Sequence, residues 1–261
     1  MKLEVLVAAV EKDGKLLAKT MGLKSDAVIV SQGSQENYEE FEENGKKIRC
    51  FYMKTRGVGL NRNTALQRAK GDILLFCDED IVLDPGYEAT ILKAFERNKA
   101  ADLLTFNVRV DERRRTYYNK DRHRIRWYNY GRYPAYAIAA RRKALEAGRV
   151  SFSLLFGGGA KYSNGEDSLF LRDCLKSGMK MYTETAEIGE EVYRESTWFK
   201  GYTEKFFVDR GVLFHFLYGK MAMVWTLRFL LTKKGTVCKE IPFGKALRLM
   251  MKGIRQAKRI R

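Results

Sequence analysis

The chain has 261 residues, 45% of them hydrophobic, which is enough apolar material for one large domain or two small ones around a sizeable core. Two histidines and four scattered cysteines with no Cys-x-x-Cys spacing exclude a zinc framework or a disulfide scaffold, leave little for a Ser-His-Asp triad, and point to a reducing cytoplasm. The net charge of +17 sits mainly in two segments, with eleven Lys or Arg and one Glu from Arg228 to Arg261 and eight against three acids from Arg109 to Arg126, so basicity belongs to particular surfaces and not to the fold.

Leu3–Val10 is an apolar, β-branched run that predicts a buried strand, and Glu11, Lys12 and Asp13 break it too soon for a signal peptide or a membrane span. A short helix is expected over 15–21, then a second buried strand over 27–30 ending in the polar turn Ser31-Gln32-Gly33-Ser34. The acidic stretch 36–43 reads as a solvated loop. A third strand over 48–53 is followed by Gly57-Val58-Gly59, which opens a helix over 60–69. There, backbone N–H groups beside Gly57, with Arg62 and Asn63, would suit a diphosphate; an ordinary glycine turn with a solvated arginine describes the same residues, and the third glycine of a dinucleotide fingerprint is missing.

The fourth strand, 73–77, ends in Asp78-Glu79-Asp80. Alternation along an extended backbone puts Asp78 and Asp80 on one side and Glu79 on the other. Two carboxylates that close repel each other and invite a divalent cation, and all-oxygen ligation favours Mg²⁺ or Mn²⁺ over zinc. Acids at a strand end are also simply solvated, and Asp84-Pro85 starts the next helix, expected over 85–98. Strands alternating with helices imply right-handed parallel βαβ units, whose ligands bind beyond the carboxyl ends of the strands. The Ser31 turn, the Gly57 segment and the acids all stand at such ends.

A strand over 102–109 closes this half. The Arg- and Tyr-rich stretch 113–136 reads as a mobile, solvated loop packed by its own aromatics, although interleaved Arg and Tyr would also stack on bases or sugars. Phe156-Gly157-Gly158-Gly159-Ala160 then leads to Gly165-Glu166-Asp167, whose acids lie in the first turn of a helix. The helix dipole stabilises acids there in any case, while a glycine-rich approach suits a base facing a bulky ligand.

Three motifs occur together and in order: Asn61-Arg62-Asn63-x-Ala65-Leu66, then Ala69-Lys70-Gly71-Asp72-Ile73-Leu74-Leu75-Phe76-x-Asp78-Glu79-Asp80, then Gly165-Glu166-Asp167-x-x-Phe170. On these residues the chain resembles the family 2 glycosyltransferases of GT-A fold, over residues 3–185. The resemblance implies an α/β, Rossmann-like, mostly parallel sheet flanked by helices. It implies a nucleotide-sugar donor, a UDP-sugar by family habit. Asp78 and Asp80 would be the DxD pair holding Mn²⁺ or Mg²⁺ on the diphosphate, with Glu79, Arg62, Asn63, Gly57 and Ser31 around the donor. Asp167 would be the base, with Glu166 beside it, in a reaction that inverts the anomeric carbon. Ser31-Gln32 replaces the family's paired Asp before Gly-Ser, which supports a second reading, a GT-A domain that has lost catalysis and binds a partner. No Gln-x-x-Arg-Trp segment is present, so one sugar per acceptor is expected.

In the last quarter, the 196–202 aromatics and Lys205-Phe206-Phe207 are candidates to border the acceptor site, and His215 is either a further metal ligand or structural. The apolar run 221–231 is too short to span a bilayer. Beyond Pro242, Phe243, Leu247, Met250, Met251 and Ile254 share one helical face and Lys245, Arg248, Lys252, Arg255 and Arg259 another. Such a helix suits an anionic membrane surface, or docks on the domain with its basic face solvated. The expected organisation is a transferase domain over 1–215 and a basic amphipathic helical region over 216–261. The expected enzyme is cytoplasmic and peripheral at the inner face of the plasma membrane, acting on a lipid-linked glycan. Because the cations avoid the strand ends, no nucleic-acid partner is expected.

Overall fold

The computed structural model describes residues 1–111, 115, 117–192 and 201–260. Strand β1 (Leu3–Val10) is buried from Leu3 to Ala9 and pairs in parallel with both β2 (Asp26–Gln32) and β5 (Ile73–Asp78). Helix α1 (Gly14–Thr20) starts where the Asp13 carboxylate accepts the Leu16 N–H, satisfying one donor that a helix end leaves open. Strand β2 runs on through Ser31 and Gln32, so the predicted polar turn begins only at Gly33.

The acidic segment is not a loop. It forms β3 (Asn37–Glu43), antiparallel to β4 (Lys46–Met53), and the turn between them is Asn44-Gly45 with both residues at positive φ. Asn-Gly is the sequence that a two-residue hairpin prefers, and the glutamates suit an edge strand whose outer rim must not recruit another chain. Tyr38 packs on Phe51 at a ring distance of 4.8 Å, and Glu40 pairs with Lys47 at 2.7 Å.

Helix α2 (Val58–Arg68) precedes β5, which is followed by the short β6 (Ile81–Leu83), helix α3 (Tyr87–Arg97) and strand β7 (Leu103–Arg109). Next come β8 (Arg124–Ile125), β9 (Ile138–Arg141), α4 (Arg142–Gly148), α5 (Glu166–Lys176) and β10 (Met181–Glu191). The sheet order is β3-β4-β2-β1-β5-β9-β7-β10-β6, with β8 on β10. β4, β2, β1 and β5 are all parallel, so their carboxyl ends emerge on one edge, as the apolar runs predict. β9 lies antiparallel between β5 and β7. One face of the sheet packs Val5, Val7 and Ile29 against Leu17, Ile91 and Phe95; the other packs Leu6, Val28 and Phe76 against Phe152 and Phe170.

The Arg- and Tyr-rich stretch is divided, not a solvated loop throughout. Tyr130 and Tyr133 are buried, and the Tyr117 hydroxyl donates to the Phe106 carbonyl at 2.7 Å, while Trp127 and Tyr128 stay exposed. Arg113 and Arg114 lie outside the described residues.

The chain ends in three helices, α6 (Glu204–Tyr218), α7 (Ala222–Val237) and α8 (Phe243–Ala257). α6 runs unbroken through residues 215 and 216, where the two expected regions were to part. Phe206 and Phe207 are buried in the helical cluster and Lys205 pairs with Asp209, so this segment does not offer aromatics to an acceptor; Ser196 to Lys200 lie outside the described residues. The apolar face of α8 is turned inward: Ala246, Met250 and Ile254 are buried against α6. Gly211 and Gly253 face the partner helix's backbone so closely that any side chain there would strike a carbonyl. With its apolar face docked on α6, the helix leaves its cationic face outward. On α7, in contrast, Val224, Leu227 and Leu231 are exposed. Among the described residues no helix is long and apolar enough to cross a membrane.

Candidate active site

At the carboxyl edge of β1, β2, β4 and β5 opens a cleft of about 780 Å³. Its floor is organised by Arg62, in the second turn of α2, whose side chain is only 4% exposed. Nη2 donates to Asp78 Oδ1 at 2.8 Å; Nη1 donates to Glu166 Oε1 at 3.2 Å and to Asp167 Oδ1 at 3.1 Å. Beneath lies the Phe152 ring, 5.3 Å away. Burial alone would lower the pKa of Arg62, but the charges of Asp78, Asp167 and Glu166 outweigh it and hold the guanidinium above its ordinary value. The predicted free cation for a diphosphate is therefore a buried hub for three carboxylates.

Asp78 is the last residue of β5, and Glu79 and Asp80 turn away from the strand. Glu79 accepts the Val10 N–H at 2.8 Å and so ties the end of β1 to the acidic turn. All three acids line the cleft. Among the described residues no three His, Cys, Asp or Glu side chains are grouped to hold a metal ion. Two carboxylates opening into a cleft still fit Mg²⁺ or Mn²⁺, because such ions keep water and take the remaining oxygens from substrate phosphates. His215 does not line the cleft; it lies on α6 beside Phe216, with a buried Nδ1 that has no partner among the described residues.

Glu166 and Asp167 come from the first turn of α5. The N-cap Gly165 has φ 112°, and Leu213 of α6 occupies the place of any side chain there, so only glycine allows this approach. Desolvation, then the charge of Glu166, pushes the Asp167 carboxyl up to about 8 against the opposing pull of Arg62.

Two of the predicted donor residues, Ser31 and Asn63, are engaged with the backbone, and the third, Gly57, lines the cleft. The Ser31 hydroxyl accepts the Lys12 N–H and donates to the Lys12 carbonyl, both at 2.9 Å, and so pins the loop after β1. Asn63 exchanges two hydrogen bonds with the Phe152 backbone, at 2.7 and 2.9 Å. Gly57 lines the cleft with φ 108°, but the Val58 N–H is already donated to the Gly158 carbonyl at 2.9 Å, so that amide does not await a phosphate. The structure adds others. Gln32 lines the cleft and its amide donates to Thr55 Oγ1 and the Gly57 carbonyl. Asn61 donates to the Ala9 and Val30 carbonyls, both at 3.0 Å, clamping the ends of β1 and β2, and its Oδ1 is buried without a partner among the described residues. An amide side chain one turn into a helix that follows a strand was the available signal.

The family model described as Glycosyl transferase family 2 matches residues 3–151. A Bacillus subtilis (strain 168) protein described as uncharacterized glycosyltransferase YfnE is 26% identical over 110 residues, which is 38% of this chain and 28% of that relative's length. The crystal structure of S. aureus TarS 1-349 in complex with UDP-GlcNAc is similar at a TM-score of 0.67 and 14% identity, over 98% of this chain and 82% of that one. Mannosyltransferase PcManGT from Pyrobaculum calidifontis, in complex with GDP-Man and Mn²⁺, is similar at 0.51 and 13% identity, over 100% and 76%. At these identities the two structures share the fold.

Proposed function

Since the chain belongs to glycosyl transferase family 2, we propose that it transfers a single sugar from a nucleotide-sugar donor, a UDP-sugar, to a hydroxyl of a glycan acceptor, with inversion at the anomeric carbon. The observation that carries this reading is the convergence of Asp78, Glu166 and Asp167 on Arg62, which lines with Asp78 and Glu166 a cleft at the carboxyl edge of the parallel strands. Asp167 takes the proton of the attacking hydroxyl while that oxygen bonds the anomeric carbon and the bond to the diphosphate oxygen breaks; positioned proton transfer of this kind contributes about 10² to 10⁴ in rate. Glu166 and Arg62 orient Asp167. Asp78 and Asp80 would hold a divalent cation, which when bound neutralises charge on the departing nucleoside diphosphate. Gln32, Asn61 and Gly57 would border the donor. The UDP-GlcNAc and GDP-Man complexes of the two similar structures support a nucleotide-sugar donor.

The acceptor in this reading is lipid-linked, and the enzyme works at the inner, cytoplasmic face of the plasma membrane in cell-surface polysaccharide synthesis. Support comes from α7, where exposed Val224, Leu227 and Leu231 stand among Arg228, Lys233 and Lys234, with no carboxylate on the helix.

The test is thermal stability of the native chain and of Asp80→Ala with UDP-, GDP- and dTDP-sugars, each with and without Mn²⁺. A ligand at a hundredfold excess over Kd adds about 2.7 kcal/mol to the stability of the state it binds. A Mn²⁺-dependent rise with UDP-sugars, lost in Asp80→Ala, is the expected result. No rise with any donor would sink the donor site and bring forward the catalytically silent, partner-binding reading.

A further inference from the structure

A second recess, of about 530 Å³, is lined by Lys161, Lys252, Arg255, Gln256, Arg259 and Ile260. Four of these six side chains are cations and none is an acid. Lys252, Arg255 and Arg259 recur at helical spacing on α8 and its C-terminal extension, so they share a face where like charges repel. Lys161 brings a fourth cation from a different part of the chain, its ammonium near the Tyr162 ring. Neighbouring lysines are neutralised, Lys205 by Asp209 and Lys245 by Glu204. Among the described residues no ion pair involves the four cations of the recess; Glu204, which is paired with Lys245, also feels the charge of Lys252.

The recess is joined to the active site by a single loop. Gly158 and Gly159 line the donor cleft with Glu166, and Lys161, two residues on, lines the recess. The join is firm, because Ala257 and Ile260 pack with Phe156, Tyr162 and Leu169, the last of these on the same helix as Asp167. A donor diphosphate belongs on the cleft side of this loop. A molecule lying along this loop would meet Gly158 and Gly159 on the cleft side and Lys161 on the other.

We infer that the recess of Lys161, Lys252, Arg255 and Arg259 binds phosphate groups carried by the acceptor, which makes the acceptor a phosphate-bearing glycan. The inference rests on the transferase reading above and adds the acceptor's chemical class. Arginine forks take phosphate oxygens two at a time and lysine adds point charge, so a cluster of both suits a phosphate ester better than it suits a neutral sugar. The volume admits more than one such group.

Two measurements on the full chain test this. In the first, short-chain polyphosphate is titrated in the presence of saturating UDP, which occupies the donor side. Lys252→Glu with Arg255→Glu is expected to weaken binding by about tenfold or more and to flatten its salt dependence. Lys161→Gln, on the opposite wall, should weaken it several-fold without touching α8. The control Lys93→Glu with Lys99→Glu reverses the same number of charges on and just beyond α3, and should leave affinity within about twofold. In the second, label from the donor is followed into a phosphodiester-linked oligosaccharide and into the same oligosaccharide stripped of phosphate. Only the first should be a good acceptor, and the recess variants should raise its KM about tenfold with kcat unchanged.

Equal weakening by the control pair, or no preference for the phosphate-bearing acceptor, would overturn the inference. So would phosphatidylglycerol vesicles that bind the native chain and not the recess variants while polyphosphate binds neither, because the recess would then be a membrane contact. A failure of the transferase reading is seen separately, as the lack of any nucleotide-sugar effect on the native chain's stability.

Discussion

Arg62 joins residues 16, 104 and 105 positions away in the sequence, and its partners explain why its role was not legible there. An arginine beside glycines at a helix start announces an anion; which anion is decided by burial that only the assembled sheet creates. Arg62→Ala would leave three carboxylates facing one another around a cavity, and the expected loss of stability is about 3–5 kcal/mol, read by chemical denaturation. Arg62→Lys, which keeps the charge and loses the fork, should recover part of it. Asp167→Asn should retain the Mn²⁺-dependent stabilisation by nucleotide sugar and lower kcat by about 10² to 10⁴. Because the Asp167 carboxyl of the free protein is pushed up to about 8, kcat/KM should climb as pH rises through neutrality and level off above that value. Its effect on stability has the opposite sign. The folded state binds the proton more tightly than the unfolded chain, so this contribution is full below the ordinary aspartate value of about 4 and fades as pH rises through about 8. Asp167→Asn should remove that dependence. Asp78, Glu166 and Asp167 were legible as types and spacings. Ser31 and Asn63 bond the backbone, since a short polar side chain near a strand end serves the backbone as readily as a ligand, a use that their types alone do not reveal.

At the scale of elements, buried strands were the most legible, since an unbroken apolar run has few other places to go. The β3–β4 hairpin was readable too, from Asn44-Gly45, but a run of glutamates masks a strand whose outer face is solvent. The last two helices differ in what they bury. α8 has the cleaner apolar face and buries it on α6 through the Gly211 and Gly253 contact, whereas α7 keeps apolar side chains in the open. Periodicity tells that a face is apolar and not what covers it. The measurement that separates the two helices is sedimentation with vesicles containing phosphatidylglycerol. Val224→Glu with Leu231→Glu on α7 should abolish binding while leaving the melting temperature near that of the native chain, because both side chains are exposed. Retained binding would move the contact away from α7.

Over the whole molecule, the α/β class and the convergence of strand ends followed from alternating apolar runs and helix signals. The order of strands did not, because β9 is only four residues long and reaches its place between β5 and β7 from a region whose sequence is dominated by arginine and tyrosine. That insertion bears on how the protein is made. During synthesis β1, β2, β4 and β5 emerge first and can pair among themselves, but the outer edge of β5 stays unpaired until Ile138–Arg141 arrives, and β7 waits meanwhile with no neighbour. A nascent chain stalled before residue 138 therefore carries the outer edge of β5 and both edges of β7 unpaired, all of high apolar content, the kind of surface that chaperones shield and that aggregates if they do not. The short strand covers the edge of β5 and one edge of β7, leaving the other to β10, and amino-acid changes in it should reveal themselves first as lost yield of soluble protein, with the catalytic constants of whatever does fold left close to normal.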